Sequence, residues 1–491
     1  MNLSKSRYCR GLQCKKMLWL EKYKPEVMNK VDNSAILEQG NMVHEVARYL
    51  FGEHINIEYT DNLGEMVKDT YRTIESYKNV IITEASFNYE NNFCSVDILK
   101  KCNDNYEIYE VKSSTELKDV YINDASYQYY VLTNLGFKVT KCMIVVINSS
   151  YERNGNIELD KLFINNDITD DVIKLQDNVK NKIKEINEYM EYEEEQHEEI
   201  DEKCFKPYDC PFFEYCSRKL EHPNVFDITV TPGLTGLKFY KNGIYSFEDM
   251  LNTKISDKQR QRIEFELYDK PDYIDKDKIR EFLDTLSYPL YFLDFETYQM
   301  PVPLYDRAKP YEPIPFQYSL HYIKGKNGKL EHREYLAEVG GDPRRKLAEE
   351  LVKDIPIDVC TVAYNMSFEK RVIKRLATIY PDLSEHLMNI HDNIKDLEIP
   401  FSKRYYYTKA MGSSSSIKYV LPALFPNDKE LDYHNLDLIH NGGEAMNSFK
   451  NMENMSKEEM EYTRERLLRY CELDTYAMVK ILEKLWGVLD E

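Results

Sequence analysis

The spacing of apolar and polar residues along the chain predicts alternating strands and helices, and therefore an α/β protein. Residues 291–297 begin with three apolar or aromatic side chains, which is typical of a buried strand. Residues 457–486 carry apolar side chains at helical spacing and predict a long amphipathic helix. Nearer the start of the chain, strands are predicted at 84–87, 93–99, 106–114 and 141–147, and a helix at 124–132.

Two carboxylates lie close together within the predicted strand at 291–297. Asp294 and Glu296 are two residues apart, and in a strand this spacing places both side chains on the same face. Neighbouring carboxylates in an apolar strand are unfavourable unless a positive group balances them. A divalent cation such as Mg²⁺, which prefers oxygen ligands, would provide that balance. The alternative is an edge strand whose polar face is in water.

Two further acidic residues occur later in the chain. Glu369 follows a short β-rich segment, and a helical pattern starts directly after it at Lys370. Asp474 lies within the predicted helix at 457–486. Tyr470 precedes Asp474 by four residues, so the two side chains share one face of that helix.

The order of these motifs resembles that of the DEDD exonucleases, which have the DnaQ-like, ribonuclease H-like fold. The resemblance covers residues 288–489, and Tyr470 makes it a resemblance to the DEDDy subtype of 3′–5′ exonucleases. It implies that this tyrosine orients the attacking water and that four carboxylates hold two Mg²⁺ or Mn²⁺ ions. These carboxylates are Asp294, Glu296, Glu369 and Asp474. The family normally has aspartate where this chain has Glu369, so Asp396 is an alternative fourth ligand.

A second group of polar residues lies on a predicted hairpin in the first third of the chain. Asp97 is on one strand, and Glu110 and Lys112 share one face of the next strand. Two carboxylates and a lysine around one point can bind a metal ion and position a water that attacks phosphorus. A Glu-x-Lys triplet by itself is very common, so its context decides its meaning.

With a histidine before them and a glutamine after them, these residues resemble the PD-(D/E)XK nucleases of the RecB-like branch. Five positions match that branch in order: His44, Asp97, Glu110, Lys112 and Gln128. The branch also has a tyrosine four residues after the glutamine, where this chain has Leu132. The resemblance implies a restriction-endonuclease-like domain in which the histidine and both carboxylates bind metal and the lysine helps to position water. The alternative for a single histidine such as His44 is a structural or exposed role.

Three cysteines follow this region, with five residues between neighbours: Cys204, Cys210 and Cys216. Four thiolates are the usual complement of an iron–sulfur cluster and also of a structural zinc site. RecB-like nucleases of the AddB and CRISPR-associated kind join one N-terminal cysteine to three C-terminal ones around a [4Fe–4S] cluster. The resemblance therefore implies Cys14 as the fourth ligand, with Cys9 as the alternative. Zinc is the alternative metal, although its sites usually contain more closely spaced cysteine pairs.

Composition limits where the protein acts. The 491 residues suit two to four domains, and no run of about 18 apolar residues occurs. The beginning of the sequence lacks the apolar core of a signal peptide, so a cytoplasmic protein with reduced cysteines is expected. The formal net charge of −20 does not indicate a nucleic-acid binder, but it is compatible with a local basic groove.

Three shorter segments have nucleic-acid-binding interpretations and equally simple structural alternatives. Residues 237–250 resemble a helix-hairpin-helix unit, but the incomplete glycine pair favours a helical spacer. Residues 412–421 combine a serine run with a helix start, which suits either a phosphate contact or a loop with an N-cap. Residues 403–407 are basic and aromatic, as in single-strand binders, and they also fit a half-buried strand.

The sequence therefore predicts three domains: a RecB-like nuclease with a cysteine cluster over 1–220, a helical linker over 221–287 and a DnaQ-like exonuclease over 288–491. This order is similar to that of a prokaryotic two-nuclease family whose C-terminal half has no assigned function. We expect a metal-dependent nuclease that acts on single-stranded DNA or DNA ends, with RNA as a further candidate substrate, in repair or in defence against foreign DNA. The alternative is a module that binds nucleic acid or a protein partner, with one or both sites inactive. The sequence predicts no membrane partner and identifies no protein partner.

Overall fold

The computed structural model describes residues 3–30 and 34–490 and shows a mixed α/β protein. Helices account for 48% and strands for 18% of the chain, which confirms the predicted α/β class. The chain divides into two compact units, each with its own sheet and apolar core. The N-terminal unit comprises Met1–Glu221 and Met300–Tyr311, and the C-terminal unit comprises His222–Gln299 and Glu312–Glu491.

The N-terminal unit is built on one large mixed sheet. Its strands are β1 (Leu3–Ser4), β2 (Ile55–Asn56), β3 (Asn79–Tyr89), β4 (Asn92–Cys102), β5 (Asn105–Val111), β6 (Lys138–Ile147) and β7 (Phe163–Asp167). Its helices are α1 (Lys5–Gln13), α2 (Lys15–Tyr23), α3 (Ser34–Ala47), α4 (Leu63–Ser76), α5 (Asp119–Asn134), α6 (Leu159–Leu162), α7 (Thr169–Lys174), α8 (Gln176–Tyr189) and α9 (Phe213–Ser217).

The sheet order in this unit is β2-β3-β4-β5-β6-β7, and β1 pairs with β4. Strands β3, β4 and β5 are antiparallel neighbours, whereas β5 and β6 are parallel and are joined through α5. The predicted hairpin is therefore confirmed as β4 and β5. Its turn contains Asn103 in a left-handed conformation (φ +51°), which asparagine adopts more readily than most residues.

Apolar side chains cover both faces of this sheet, because inward and outward residues alternate along β5 and β6. Ile108 and Ile144 pack on one face with α1 and α5, and Val111 and Val145 pack on the other with α3. Residues Met300–Tyr311 belong to this unit, and Val302 joins the second cluster.

The C-terminal unit has a five-stranded sheet and a short two-stranded one. Its strands are β8 (Tyr273–Ile274), β9 (Leu290–Tyr298), β10 (Ile314–Ile323), β11 (Leu330–Leu336), β12 (Cys360–Ala363), β13 (Ile394–Asp396) and β14 (Tyr406–Tyr407). Its helices are α10 (Leu234–Tyr240), α11 (Phe247–Leu251), α12 (Asp257–Tyr268), α13 (Lys276–Leu283), α14 (Arg344–Asp354), α15 (Ser367–Ile379), α16 (Ser384–Asp392), α17 (Ile399–Ser402), α18 (Ile417–Leu424), α19 (Gly442–Asn451) and α20 (Lys457–Asp490).

The larger sheet has the order β11-β10-β9-β12-β13, with β9 at its centre. Strand β9 is antiparallel to β10 and parallel to β12. Leu293 and Phe295 point into the core with α14 and α15, and the intervening residues point to the opposite face. The long helix α20 packs across β9 and β10 on that opposite face, where Gln317 Nε2 donates a hydrogen bond to the carbonyl of Leu467 at 2.8 Å.

Most predicted elements of the C-terminal unit are present, with local differences. The strand at 291–297 and the helix at 457–486 are confirmed as β9 and α20. Helix α15 begins at Ser367 and not at Lys370, so the first turn of α15 contains Glu369. The segment 403–407 contributes only the two-residue strand β14. Among the described residues, no helix is long and apolar enough to cross a membrane.

Candidate functional site

Three carboxylates converge on the helix-covered face of the C-terminal sheet. Asp294 and Glu296 come from alternate positions of β9, and Asp474 comes from α20, which lies over that strand. One oxygen of each carboxylate lies within 4.8 Å of the others. The two elements are far apart in sequence, so this group exists only because α20 packs on the sheet.

The acidic group has little positive charge near it. Burial, together with the neighbouring Asp474, raises the pKa of both Asp294 and Glu296 well above the usual range. Burial also raises the pKa of Asp474 to about 7, although a hydrogen bond from a tyrosine and the charge of Lys418 oppose the shift. Because the negative charges repel each other and are removed from water, the site is chemically suited to a cation.

Glu369 lies next to this group without belonging to its closest set. Its side chain is 3% exposed, and its Oε2 has no hydrogen-bond partner among the described residues. Burial, then the nearby Asp396, raises the pKa of Glu369 to about 8, and Glu369 in turn contributes to the raised pKa of Asp294. A buried polar atom without a partner calls for an explanation, and a bound cation would supply one.

Asp396, the alternative fourth ligand, is already engaged. Its Oδ1 accepts hydrogen bonds from the backbone N–H groups of Asn365 at 3.0 Å and Glu398 at 2.9 Å. These bonds connect β13 to the turn that precedes α15. Glu369 is the stronger candidate, because its Oε2 is buried without a hydrogen-bond partner among the described residues, whereas backbone N–H groups hold Asp396 Oδ1.

Two tyrosines border the acidic group. Tyr470 is 4% exposed, and burial together with Asp474 and Glu296 raises its pKa, which keeps its phenol protonated. Tyr433 donates a hydrogen bond to Asp474 Oδ1 at 2.6 Å, and its ring centroid lies 6.0 Å from that of Tyr470. The sequence analysis missed Tyr433, which lies in an irregular segment before α19 and belongs to no recognisable motif.

In the N-terminal unit, the predicted Glu-x-Lys pair lies in a dense network of charges. Glu110 is 1% exposed and accepts hydrogen bonds from Lys112 Nζ at 2.6 Å, Lys5 Nζ at 2.8 Å and Gln128 Nε2 at 2.6 Å. Lys112 Nζ also donates to Asp124 Oδ2. Although burial opposes it, the positive charges of Lys112 and Lys5 lower the pKa of Glu110.

Lys5 and Asp124 are functional candidates that the sequence analysis missed. Asp124 precedes Gln128 by four residues, so both lie on one face of α5, and this spacing could have indicated it. No local signal indicated Lys5, because 105 residues separate it from Glu110 and only the fold brings them together.

The other two predicted residues of this unit form a separate group with a third. Ligand atoms of His44, Glu84 and Asp97 lie within 4.8 Å of one another. Asp97 Oδ2 accepts a hydrogen bond from the N–H of Val111 at 2.7 Å, which fixes the carboxylate. Glu84 has φ +57°, a left-handed conformation that is uncommon for glutamate and often marks functional positions. One nitrogen and two oxygen donors suit a divalent ion such as Mn²⁺.

The four predicted cluster cysteines line one cavity of the N-terminal unit. These residues are Cys14, Cys204, Cys210 and Cys216. Burial raises the pKa of Cys210 to about 12, and the other three thiols of the set contribute to that shift. Cys9 does not line the cavity, and its raised pKa reflects burial and then Asp124 instead. The geometry therefore places Cys14, and not Cys9, with the other three cysteines.

The sulfur atoms are more widely separated than a single tetrahedral zinc ion would require. Zinc–sulfur bonds of ~2.3 Å place neighbouring sulfurs roughly 3.8 Å apart. The described residues contain groups of three or more ligand atoms within 4.8 Å of one another, but none of these groups includes the cysteines.

Comparison with known families adds a similarity over part of the C-terminal unit. The model of a domain of unknown function (DUF2779) matches residues 291–416. The match includes β9, Glu369 and Asp396, and it ends before α20. No curated protein matches the chain. Over the strand that carries Asp294 and Glu296, the chain is therefore similar to a family whose description assigns no activity.

Proposed function

We propose that this protein is a metal-dependent nuclease that hydrolyses phosphodiester bonds of DNA, with RNA as a further candidate substrate. The observation that carries the proposal is the convergence of Asp294, Glu296 and Asp474 near Glu369, whose Oε2 has no hydrogen-bond partner among the described residues. Four buried or half-buried carboxylates with raised pKa values form an all-oxygen donor set, which suits Mg²⁺ or Mn²⁺. Repair of DNA and defence against foreign DNA are the processes in which we expect it to act.

In the C-terminal centre, the four carboxylates would hold the metal ions. Bound divalent ions supply Lewis acidity, which stabilises both the entering and the leaving oxygen in phosphodiester hydrolysis. Tyr433 orients Asp474 by its hydrogen bond to Oδ1. Tyr470 keeps its proton beside the carboxylates, so its hydroxyl can donate to a water or to a phosphate oxygen. This arrangement supports the role of Tyr470 in placing the attacking water.

In the N-terminal centre, His44 and Asp97, which lie together with Glu84, would hold a divalent ion, with Glu110 of the neighbouring charge network as the third proposed ligand. Lys112 stays protonated next to Glu110, since the charges of Glu110 and Asp124 raise its pKa despite its burial. A fixed ammonium group at this point can orient a water or neutralise a phosphate oxygen. These residues support assignment of the unit to the RecB-like PD-(D/E)XK class.

One observation favours the second candidate function, a binding role without cleavage, for the N-terminal centre. Glu110 already accepts hydrogen bonds from two ammonium groups and one amide, so a metal ion must compete with Lys5 for the carboxylate. Among the described residues, no ammonium group donates a hydrogen bond to Asp294, Glu296 or Asp474, and Asp474 accepts one only from Tyr433. We therefore expect the stronger hydrolytic activity from the C-terminal centre.

For the cysteine cavity we propose a [4Fe–4S] cluster, with zinc as the alternative. Protein purified without oxygen should absorb near ~400 nm and contain roughly four irons per chain. Cys14→Ser should lose the iron, whereas Cys9→Ser should keep it, because only Cys14 lines the cavity. Stoichiometric zinc without iron, in protein produced with ample iron, would exclude the cluster.

The proposal also includes a specific fold for each of the two units. A mixed sheet whose central strand carries two acids, covered by a helix that carries a third, supports a ribonuclease H-like fold for the C-terminal unit. A sheet in which β4 and β5 present Asp97 and Glu110, with Lys112 directly after β5, supports a restriction-endonuclease-like fold for the N-terminal unit.

The test of the proposed function is a cleavage assay with end-labelled single-stranded and double-stranded DNA and with RNA, in Mg²⁺ or Mn²⁺. Asp294→Asn should abolish cleavage by the C-terminal centre, and Lys112→Ala should abolish only cleavage by the N-terminal centre. Because the two units have separate cores, the two effects should be nearly additive. Undiminished cleavage in the double variant would refute both assignments.

A further inference from the structure

The C-terminal unit contains a second group of potential metal ligands that the nuclease proposal does not use. His321 lies on β10, His332 lies directly opposite it on the antiparallel strand β11, and Glu472 reaches the same point from α20. Ligand atoms of the three residues lie within 4.8 Å of one another. The two imidazole centroids are 4.4 Å apart. Three elements thus bring two nitrogen donors and one oxygen donor to a single point.

Each imidazole is held by a hydroxyl group through one nitrogen. His321 Nδ1 is 2.8 Å from Thr475 Oγ1, and His332 Nε2 is 2.9 Å from Ser319 Oγ. The two hydroxyls are themselves 2.7 Å apart. Each ring therefore keeps a second nitrogen for another partner. Histidines that bind metals usually have one nitrogen fixed in this way, because the second hydrogen bond orients the ring.

The protonation state of the rings also suits metal binding. His321 is 5% exposed, and burial together with its neighbour His332 lowers its pKa to about 3. Burial lowers the pKa of His332 as well, although Glu472 opposes this shift. Both rings are therefore neutral at physiological pH, and neutral imidazole is the form that coordinates metals.

The carboxylates near the two imidazoles, those of Glu472 and Glu334, are available to bind a cation. Arg469 donates to Glu472 Oε2 at 2.8 Å, which leaves Oε1 for another interaction. Glu334 is two residues from His332 on β11, so both lie on the same face of the sheet. Glu334 is also paired with Ser319 across the β10–β11 ladder, and Ser319 Oγ contacts His332 Nε2. Glu334 is thus available as a fourth ligand.

We propose that His321, His332 and Glu472 bind one transition-metal ion of the zinc type, with Glu334 as the candidate fourth ligand. Imidazole nitrogens favour Zn²⁺ and similar ions over Mg²⁺, so this site differs in metal preference from the all-carboxylate centre. The proposal rests on these ligands alone and does not depend on nuclease activity.

The position of the site gives the ion a structural role near the acidic centre. Glu472 is two residues before Asp474 on α20, and Ser319 is paired with Asp294 in the β9–β10 register. An ion that joins β10 and β11 to α20 would fasten this helix to the sheet edge. It would thereby hold Asp474 in register with the acids of β9.

The experiment counts Zn²⁺ bound to the full chain after removal of exchangeable metal, by equilibrium dialysis and elemental analysis. His332→Gln and Glu472→Gln should each bind one ion fewer per chain than the wild type at low zinc, with at least tenfold weaker affinity for that ion. His434→Gln is the matched control that should retain it, since His434 is a 93%-exposed histidine outside the group. Unchanged number and affinity in both test variants would overturn the proposal.

A spectroscopic measurement keeps the test valid if zinc also occupies the cysteine cavity. When one equivalent of Cu²⁺ is bound at this site, electron-spin-echo spectra should show couplings to imidazole nitrogens. The couplings that the wild type shows and His332→Gln lacks should come from this site alone. Circular dichroism should match for the wild type and Glu472→Gln, because glutamine keeps the shape of the side chain. Identical nitrogen couplings in wild type and His332→Gln would also overturn the proposal.

Discussion

The two acidic centres of this protein manage buried negative charge in opposite ways. In the N-terminal unit, Glu110 is compensated by Lys5, Lys112 and Gln128, and its pKa is lowered. In the C-terminal unit, Asp294 and Glu296 lie beside further acids, and their pKa values are raised. The first arrangement is stable without a metal ion, whereas the second stores repulsion that a metal ion would relieve. If the proposed function holds, we therefore expect the C-terminal centre to depend more strongly on metal.

The largest expected effect tests the compensated centre. Glu110→Gln should lower the free energy of unfolding of the N-terminal unit by about 3 kcal/mol, because two partly buried ammonium groups lose a charged partner. Trp19 lies in this unit and Trp486 in the other, so denaturant titration followed by fluorescence in a Trp486→Phe background reports the N-terminal unit. Glu107→Gln, which removes longer ion pairs of 3.5 Å on the same strand, should change stability by less than about 1 kcal/mol.

The next prediction tests the uncompensated centre. Asp294→Asn should reduce C-terminal cleavage by about 100-fold or more, since even outer-sphere partners of metals cost 10- to 100-fold. The same change should stabilise the metal-free C-terminal unit by about 1 kcal/mol, because one of several like charges is removed. Fluorescence of Trp486 in a Trp19→Phe background, with chelator present, measures that stability. Glu483→Gln, an exposed change on α20, is the control and should alter neither quantity.

Loss of stability in chelated Asp294→Asn would contradict the idea that this centre stores repulsion. It would instead mean that the carboxylate is favourably paired in the metal-free state.

A third prediction concerns pH, for which the two centres should respond in opposite directions. Burial raises the folded-state pKa of Asp474 to about 7 and of Glu369 to about 8, whereas unfolded carboxyls titrate near 4. The folded C-terminal unit therefore binds more protons than the unfolded one, and its metal-free stability should fall as pH rises from about 4 to about 8. The slope is at most about 1.4 kcal/mol per pH unit for each group.

Added Mg²⁺ should flatten this slope, because bound metal favours the ionised carboxylates. Glu110 should contribute the reverse trend in the N-terminal unit, since its lowered pKa gives stability that is present above pH 4.5 and is lost in acid. The raised pKa values of Asp124 and Glu84 in the same unit should reduce that trend. Chelated samples unfolded at several pH values, with one tryptophan per unit as reporter, measure both trends. A C-terminal unit that gains stability between pH 5 and 8 without metal would contradict the comparison.

The smallest expected effect concerns the orientation of Asp474. Tyr433→Phe removes the hydrogen bond to Asp474 Oδ1 and should cost about 1 kcal/mol, which corresponds to a roughly fivefold loss of C-terminal cleavage. The effect should fall mainly on kcat if Tyr433 orients a metal-binding carboxylate. Tyr462→Phe, which removes an exposed hydroxyl contact to Asp437, is the control and should leave the cleavage rate unchanged. Equal rates for both variants would remove Tyr433 from the site.

The sequence alone was sufficient to predict the main strand and the long helix of the C-terminal unit. It was also sufficient to predict which residues share one face of each element. The period of apolar residues indicated β9 and α20, and two-residue spacing placed Asp294 and Glu296 on one face. Four-residue spacing placed Tyr470 and Asp474 on one face of α20. Such relations depend only on backbone geometry over a few residues, so the spacing of residues in the sequence is enough to predict them.

Tertiary structure decided which distant residues meet. Only the packing of α1 against the first sheet brings Lys5 to Glu110, and only the pairing of β10 with β11 under α20 brings His321, His332 and Glu472 together. It also distinguished Cys14 from Cys9, which the sequence left open: Cys14 is the residue between α1 and α2 and lines the cavity, whereas Cys9 lies within α1 and does not. These contacts depend on side-chain packing between elements, and local periodicity contains no information about that packing.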